Sequence, residues 1–413
     1  MEFLDKCKEV KDASFELMVL SNEERDNILL KFSEKLRENI PFLLEENAKD
    51  IEKAAENGVK ESMVDRLKLT ESRINDMADS VVDVVNLPGA VGIVLDEYVA
   101  KSGINIKKVT VPLGVVGIIY ESRPNVTADC FTLCLKTGNA VILKGGKEAI
   151  NSNMAIVKVA KETLREMGYN ENFVYLIEDI SRESTNAMMK LNGIIDVLIP
   201  RGGKGLIDSV VKNATVPVIE TGAGNCHIFV DESADFEMAL SIIDNAKTSR
   251  PSVCNAVETV LVHEKIYKDF MPEMKEVLDK KNVELRGCEK TLEILTDITP
   301  ATEEDFYTEY NDYILAVKVV KDVKEAVMHI RKYSTNHSEA IVTKDDGNAQ
   351  FFVSSIDSAA LYVNASTRFT DGGEFMLGAE IGISTQKLHA RGPMGLRELT
   401  SYKYIVSGNG EIR

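Results

Sequence analysis

The stretch that most limits the fold is Val115-Val116-Gly117-Ile118-Ile119-Tyr120. An unbroken apolar run of this length leaves no face for water, so it reads as a strand covered on both sides, as in a parallel sheet. It ends in a polar tip, Glu121-Ser122-Arg123-Pro124-Asn125-Val126-Thr127, and a helix follows over Ala128 to Lys136, closed by Gly138-Asn139. The unit then repeats. Ala140–Leu143 leads to Lys144-Gly145-Gly146-Lys147 and a helix over Asn153 to Met167, with Gly168 at its end. Val174–Ile177 leads to a helix near Thr185 to Leu191. Val197–Pro200 leads to Arg201-Gly202-Gly203-Lys204-Gly205 and a further short helix. Strand, polar tip and helix in alternation specify a doubly wound α/β sheet, whose ligands sit at the carboxyl ends of the strands. Each polar tip falls at such an end.

The pattern restarts past residue 222, with strands at His227–Val230, Val257–His263, Ile314–Val317 and Ala340–Val342. Helices are expected over Phe236 to Ala246, Ile266 to Asp279 and Val323 to Lys332. A chain of 413 residues exceeds one ordinary core, which agrees with a second α/β domain beginning near residue 223. Before the first sheet, residues 1 to 85 read as helices that cover it. Ser21 and Glu24 form a capping-box pair, Ile28, Leu29, Phe32 and Leu36 recur at helical spacing, and Pro41 opens a further helix. Val91–Val94 and Ile104–Val111 read as strands, the latter with two lysines suited to an edge or a subunit surface. The end of the chain, Leu396 to Val406, reads as a short helix and a strand.

A net charge of -17 argues against nucleic acid or an anionic membrane surface as a general partner, so any anionic ligand must meet local cations. No apolar run is long enough to span a membrane, and the charged start Met1-Glu2-Phe3-Leu4-Asp5-Lys6 is not a secretory signal. Six cysteines spread over this length suit reduced thiols in the cytoplasm rather than a disulfide framework.

Several residues could carry chemistry. Cys254 stands in the turn-prone run Thr248-Ser249-Arg250-Pro251-Ser252-Val253-Cys254-Asn255-Ala256, directly before an apolar strand. A thiol so placed is held by a rigid element, and Arg250 nearby would favour the thiolate; a half-buried structural cysteine is the plainer account. Gly202 and Gly203 open a helix after a strand, where backbone N–H groups can hold a phosphate or simply form a tight turn. Gly205 stands where a Walker loop needs Ser or Thr, so no such loop is present. In Gly222-Ala223-Gly224-Asn225-Cys226-His227 a histidine replaces the third glycine of the dinucleotide fingerprint. Asn125 is either an oxyanion donor or an N-cap. Glu220, after Val216–Ile219 read as a strand, is either a general base or a strand-end carboxylate. Arg391, in His389-Ala390-Arg391-Gly392-Pro393-Met394-Gly395-Leu396, either meets an anionic substrate or sits in a glycine-based loop. Cys130 and Cys134 lie on an apolar helix and read as core, and His263-Glu264 lacks the second histidine of a zinc site.

Three segments together resemble the aldehyde dehydrogenase superfamily: Val111 to Thr127, Gln386 to Leu396, and Ser249-Arg250-Pro251-Ser252-Val253-Cys254-Asn255. The resemblance is strongest to the branch that reduces L-glutamate 5-phosphate. It implies an α/β fold with a Rossmann-type NADP-binding domain (1–97 and 113–222), a catalytic domain (223–390) and a small β oligomerisation element (98–112 and 391–413). It further implies an NADPH-dependent enzyme of proline biosynthesis, cytoplasmic and at least dimeric, with the upstream glutamate kinase as a candidate partner. On matching positions Cys254 is the nucleophile and Asn125 the oxyanion amide. Lys144 meets the adenosine ribose and 2′-phosphate, and Glu309 holds the nicotinamide ribose. Glu220 falls near the family's general base, but its flank Glu220-Thr221-Gly222-Ala223-Gly224 departs from the usual E-L-G-G-K. Arg123, Arg250 and Arg391 are the candidate clamps for substrate phosphate and carboxylate. A coenzyme-A-acylating aldehyde dehydrogenase is the rival enzyme, and a cysteine hydrolase without nicotinamide the rival from another class.

Overall fold

The computed structural model describes residues 2–58, 61–121 and 123–413; Ser122 of the Glu121–Thr127 tip lies outside them. The chain forms two compact units, one of Met1–Thr221, Met376–Gly382 and Met394–Arg413, the other of Gly222–Phe375 and Ile383–Pro393.

The first unit opens with helices α1 (Glu2–Met18), α2 (Asn22–Glu38), α3 (Ile40–Glu56), α4 (Glu61–Leu67) and α5 (Glu71–Asn86). The capping box forms as the sequence proposes: the Glu24 N–H donates to Ser21 Oγ at 3.2 Å and the Ser21 N–H donates to the Glu24 carboxylate at 2.7 Å. Ile28, Leu29, Phe32 and Leu36 form the buried stripe of α2. Strands β1 (Val94–Val99) and β2 (Asn105–Pro112) come next, then β3 (Val115–Tyr120) and helix α6 (Pro124–Lys136). The first of these corrects the reading of Val91–Val94: the strand begins where that segment ends, and its residues are exposed. The alternation proceeds through β4 (Ala140–Lys144), α7 (Ile150–Glu166), β5 (Val174–Leu176), α8 (Arg182–Met188), β6 (Val197–Arg201) and α9 (Lys204–Asn213). The parallel sheet runs β5-β4-β3-β6. Its order reverses between β3 and β6, which is where such a sheet opens a crevice at its carboxyl edge.

Helix α6 is buried along most of its length. Its one buried cation, Lys136, is satisfied by Asp26 at 2.6 Å and the Val85 carbonyl at 2.9 Å. Gly138 follows at φ +72°, where a Cβ would strike Arg25 and Pro112 at 2.9 Å, so only glycine closes this helix. Val216–Ile219, read as a strand, forms no ladder: it makes an isolated bridge from Val218 to Leu198, and the Val216 N–H donates to the Met189 carbonyl at 3.3 Å.

The second unit contains β7 (Cys226–Val230), α10 (Phe236–Thr248), β8 (Val257–His263), α11 (Tyr267–Asp279), β9 (Glu284–Gly287), α12 (Glu289–Leu292), β10 (Thr299–Pro300) and β11 (Ile314–Val320). It continues with α13 (Val323–Tyr333), β12 (Ser338–Val342), α14 (Asp346–Ser355), β13 (Ala360–Val363), and the short pair β14 (Ile383–Ser384) and β15 (Gly392–Pro393). Its parallel sheet runs β10-β9-β11-β8-β7-β12-β13. The order reverses between β7 and β12. At that carboxyl edge stands Asp231, which accepts from Thr343 Oγ1 at 2.7 Å, Ser233 Oγ at 3.1 Å and Asn348 Nδ2 at 3.2 Å. The last strand, β16 (Thr400–Ser407), belongs to the first unit and pairs antiparallel with β2, making the sheet β1-β2-β16.

Beside its apolar core, the second unit buries an ion pair and a histidine whose ionisation is linked to folding. Lys247, ending α10, meets Glu258 on β8 at 2.6 Å, both side chains fully buried. Burial lowers the lysine pKa and raises that of the carboxyl, and each partner opposes the other's shift. Removing one partner strands a buried charge. Lys247→Met is expected to lower stability by about 3–5 kcal/mol in denaturant unfolding, and Lys247→Met with Glu258→Leu to recover most of the loss. His337, fully buried between Cys226 and Ser338, has its pKa pushed down to about 4 by desolvation. The unfolded chain therefore takes up a proton near its ordinary value of about 6.5 while the folded chain resists until about 4. Stability should fall as pH drops through this window, by up to about 3 kcal/mol from this group, and His337→Gln should flatten that part of the profile.

Candidate active site

In the first unit, Asn125, Lys144, Gly202 and Gly203 all lie at the carboxyl edge of the parallel sheet, following or ending β3, β4 and β6. Asn125 is not an N-cap. Pro124 occupies the first helical turn, where its missing N–H costs nothing, so α6 starts earlier than its apolar run and Arg123 takes the cap position. Asn125 sits one residue further on, exposed, with Nδ2 donating to Asp129 at 3.1 Å one turn below. Burial pushes the Asp129 carboxyl up to about 6, with Arg201 and Asn125 pulling the other way. Lys144 is buried at the end of β4. Desolvation lowers its pKa, and Asp179, beyond β5, opposes this.

The glycine turn after β6 already holds an anion. The N–H of Gly203, the N-cap of α9, donates to Glu121 Oε2 at 3.0 Å. A Cβ on Gly202 would sit 2.6 Å from the same carboxylate, so the glycine permits the approach. Arg201 beside it donates to the Glu380 carbonyl at 2.8 Å. Glu220 is half-buried just past the Val218 bridge.

In the second unit, Cys254 stands in the loop between α10 and β8, partly exposed, at the amino edge of the parallel sheet. Its backbone is tightly fixed. The Cys226 thiol donates to the Cys254 carbonyl at 3.2 Å, and burial keeps that thiol protonated by pushing its pKa well up. Gly224 packs on the same carbonyl so closely that a Cβ would lie 1.4 Å from the oxygen. Glu309, past the one-turn helix Glu304–Tyr307, accepts the Gly224 N–H at 2.7 Å. Glu309 thus holds the segment against which Cys254 packs, a contact that its flanking sequence does not announce.

The three candidate clamps differ in their surroundings. Arg123 is half-buried at the cap of α6. Arg250 is exposed and, among the described residues, makes no ion pair. Arg391 is bound by Asp357, whose carboxylate it meets at 2.7 Å, and Lys387 pairs with the same carboxylate. One residue that the sequence reading passed over joins the cysteine loop: Arg368, after β13, donates through Nε to Ser249 Oγ at 3.0 Å and through Nη1 to Asn255 Oδ1. It sits 113 positions from Asn255, so no local spacing could point to it. Cys130, Cys134 and Cys226 are buried, and desolvation raises all three thiols, Cys130 to about 12.

The model of the aldehyde dehydrogenase family matches residues 5–315. The chain is 59% identical over 412 residues to the gamma-glutamyl phosphate reductase of Clostridium perfringens (strain 13 / Type A), covering 100% of this chain and 99% of that one. It is 57% identical to that of Caldanaerobacter subterraneus subsp. tengcongensis, covering all of both. The crystal structure of gamma-glutamyl phosphate reductase from Thermotoga maritima superposes with a TM-score of 0.98 at 54% identity, covering 100% of each chain. An acetylating aldehyde dehydrogenase from Geobacillus thermoglucosidasius, 18% identical with a TM-score of 0.73, covers 100% of this chain and 97% of its own and shares the fold. With both parallel sheets and near-complete coverage in common, the chain belongs to the aldehyde dehydrogenase family, among its gamma-glutamyl phosphate reductases, and is an oxidoreductase.

Proposed function

We propose that this enzyme reduces L-glutamate 5-phosphate to L-glutamate 5-semialdehyde with NADPH, releasing phosphate, through a thioester on Cys254. This is the second step of proline biosynthesis from glutamate. The observation that carries the reading is a partly exposed thiol on a firmly tied loop, in a chain 59% identical over its length to a gamma-glutamyl phosphate reductase.

The Cys254 thiolate attacks the acyl carbon, and the carbonyl electrons move onto oxygen. Collapse of this tetrahedral species expels phosphate and leaves the thioester. Asn125 is the assigned donor to the oxyanion, a contribution of about 3 kcal/mol. Arg250, exposed and without an ion pair among the described residues, suits the phosphate. Arg123 and Arg391 are the remaining clamps, and Arg391 would share its charge with Asp357. Glu220 has no step to perform in this direction, since activating water would only hydrolyse the thioester.

The residues present fit a nicotinamide cofactor. Glu121 stands in for a phosphate on the Gly202–Gly203 turn, so that turn accepts an anion, and the buried Lys144 would regain by a phosphate contact what desolvation takes from it. Glu309 is assigned to the nicotinamide ribose. NADPH, when bound, supplies the hydride that turns the thioester into the aldehyde. The enzyme is cytoplasmic in this reading, with glutamate kinase as the candidate partner that delivers its substrate. It is a homo-oligomer in which the β1-β2-β16 sheet, exposing Leu95, Val99, Tyr404 and Val406, meets another copy.

The reverse assay decides the reaction: semialdehyde, phosphate and NADP⁺ should produce NADPH, and Cys254→Ala should abolish it. NADPH formed with coenzyme A in place of phosphate would instead favour the acylating dehydrogenases, and a Cys254→Ala enzyme that kept its rate would end the thioester reading. Arg250→Lys should raise the KM for the acyl phosphate about tenfold with less change in kcat, because a point charge replaces a bidentate fork. An unchanged KM removes Arg250 from the clamp.

A further inference from the structure

The proposed chemistry needs a thiolate, yet the sequence around Cys254 offers no histidine or lysine to produce one. The second unit supplies a different group. Arg368 lies in the one-turn helix Thr367–Phe369. Its guanidinium reaches both flanks of the cysteine loop, donating to Ser249 Oγ at 3.0 Å and to Asn255 Oδ1. The contact is reciprocated. Asn255 Nδ2 donates to the carbonyls of Arg368 at 3.2 Å and Thr370 at 2.9 Å, and Thr367 Oγ1 donates to the Asn255 carbonyl at 2.7 Å. A guanidinium suits this task because its donors leave a rigid plane in fixed directions.

Resting on the thioester reading above, we propose that Arg368 is the positioning residue of Cys254. Its fork pins Ser249 and Asn255 while its charge, held in place, favours the thiolate of the residue between them. Among the described residues, the charged and titratable groups around this loop include Cys226 on β7, the Lys247–Glu258 pair at its base, Arg250 within it, Glu309 on the Gly224 N–H, and Arg368 with Asp371. Partial burial makes the Arg368 cation costlier; Asp371 and the Cys254 sulfur offset this, and Arg250 adds to it. Asp371 therefore competes with the sulfur for the same cation. It also accepts from the Gly373 N–H at 2.9 Å, which fixes its place in that competition.

The test reads the sulfur directly. Cys254 of the full-length enzyme is alkylated with iodoacetamide from pH 5.5 to 9.5 and followed by peptide mass spectrometry, with Cys254→Ala as the background. Arg368→Gln should slow labelling at pH 7 about tenfold and raise the midpoint of the profile by about one unit, since each unit is a tenfold change in thiolate. Arg368→Lys, which keeps the charge without the fork, should recover most of the midpoint. Superimposable profiles for Arg368→Gln and the parent enzyme overturn the proposal, as do equal shifts in the glutamine and lysine variants. Should Arg368→Gln fail to fold, Asp371→Asn decides: the midpoint should fall, and an unchanged or raised midpoint overturns the assignment. No substrate enters this measurement. An enzyme silent in the reverse assay but with an Arg368-dependent profile would lose the proposed reaction and keep this role.

Discussion

The buried pair Lys247–Glu258 joins the helix and the strand on either side of the loop that carries Cys254. Two charges removed from water are tolerated only when each is fixed against the other. Lys247 ends α10 and Glu258 lies at the start of β8, so their contact fixes the two ends of the loop that carries Cys254. A loop with free ends could present its thiol in many orientations. This one is closed at its base by a bond of 2.6 Å, pressed at its carbonyl by Gly224 and Cys226, and tied at its flanks by Arg368. Fixing the backbone in advance lowers the entropic cost of aligning sulfur and substrate.

The two parallel sheets use their edges differently. In the first unit the crevice where the strand order reverses lies beside the turn that receives the Glu121 carboxylate, and a helix N-terminus there is already an anion site. In the second unit the matching edge carries Asp231 and its donors, and the cysteine is carried at the opposite, amino edge. The sequence-predicted cofactor residues Lys144, Gly202 and Gly203 thus lie at a carboxyl edge, where such sheets take their ligands, whereas Cys254 lies at an amino edge. The loop before β8 combines rigidity with exposure.

Much of the fold was legible because its strands are buried on both faces. The run Val115–Tyr120 has no polar position to blur its limits, and it begins and ends where the continuous pattern does. Legibility failed where burial is one-sided or absent. Val94–Val99 is exposed and mixes Asp96 and Glu97 with apolar residues, so the strand expected over Val91–Val94 lies further along the chain than its apolar residues indicate. The start of α6 was read late because the turn residues Pro124 and Asn125 hide a helical first turn. Helix α14 and strand β13 went unread, the former because its capping Asp345 is followed by a polar turn rather than an apolar stripe.

By itself the sequence determined the order of strands and helices, the placing of Cys254 between a helix and a strand, and the family, because these depend on local pattern or on long matched segments. The tertiary structure alone decided what surrounds the sulfur. Gly224, Cys226, Glu309 and Arg368 reach the loop from distant parts of the chain, and no periodicity encodes such meetings. Gly224, Cys226 and Glu309 lie at the amino ends of parallel strands, which gather at one edge, and Arg368 comes to that edge on the chain that follows β13. The opening absence of a base beside Cys254 was therefore an absence in one dimension only. In three, a guanidinium spans the loop.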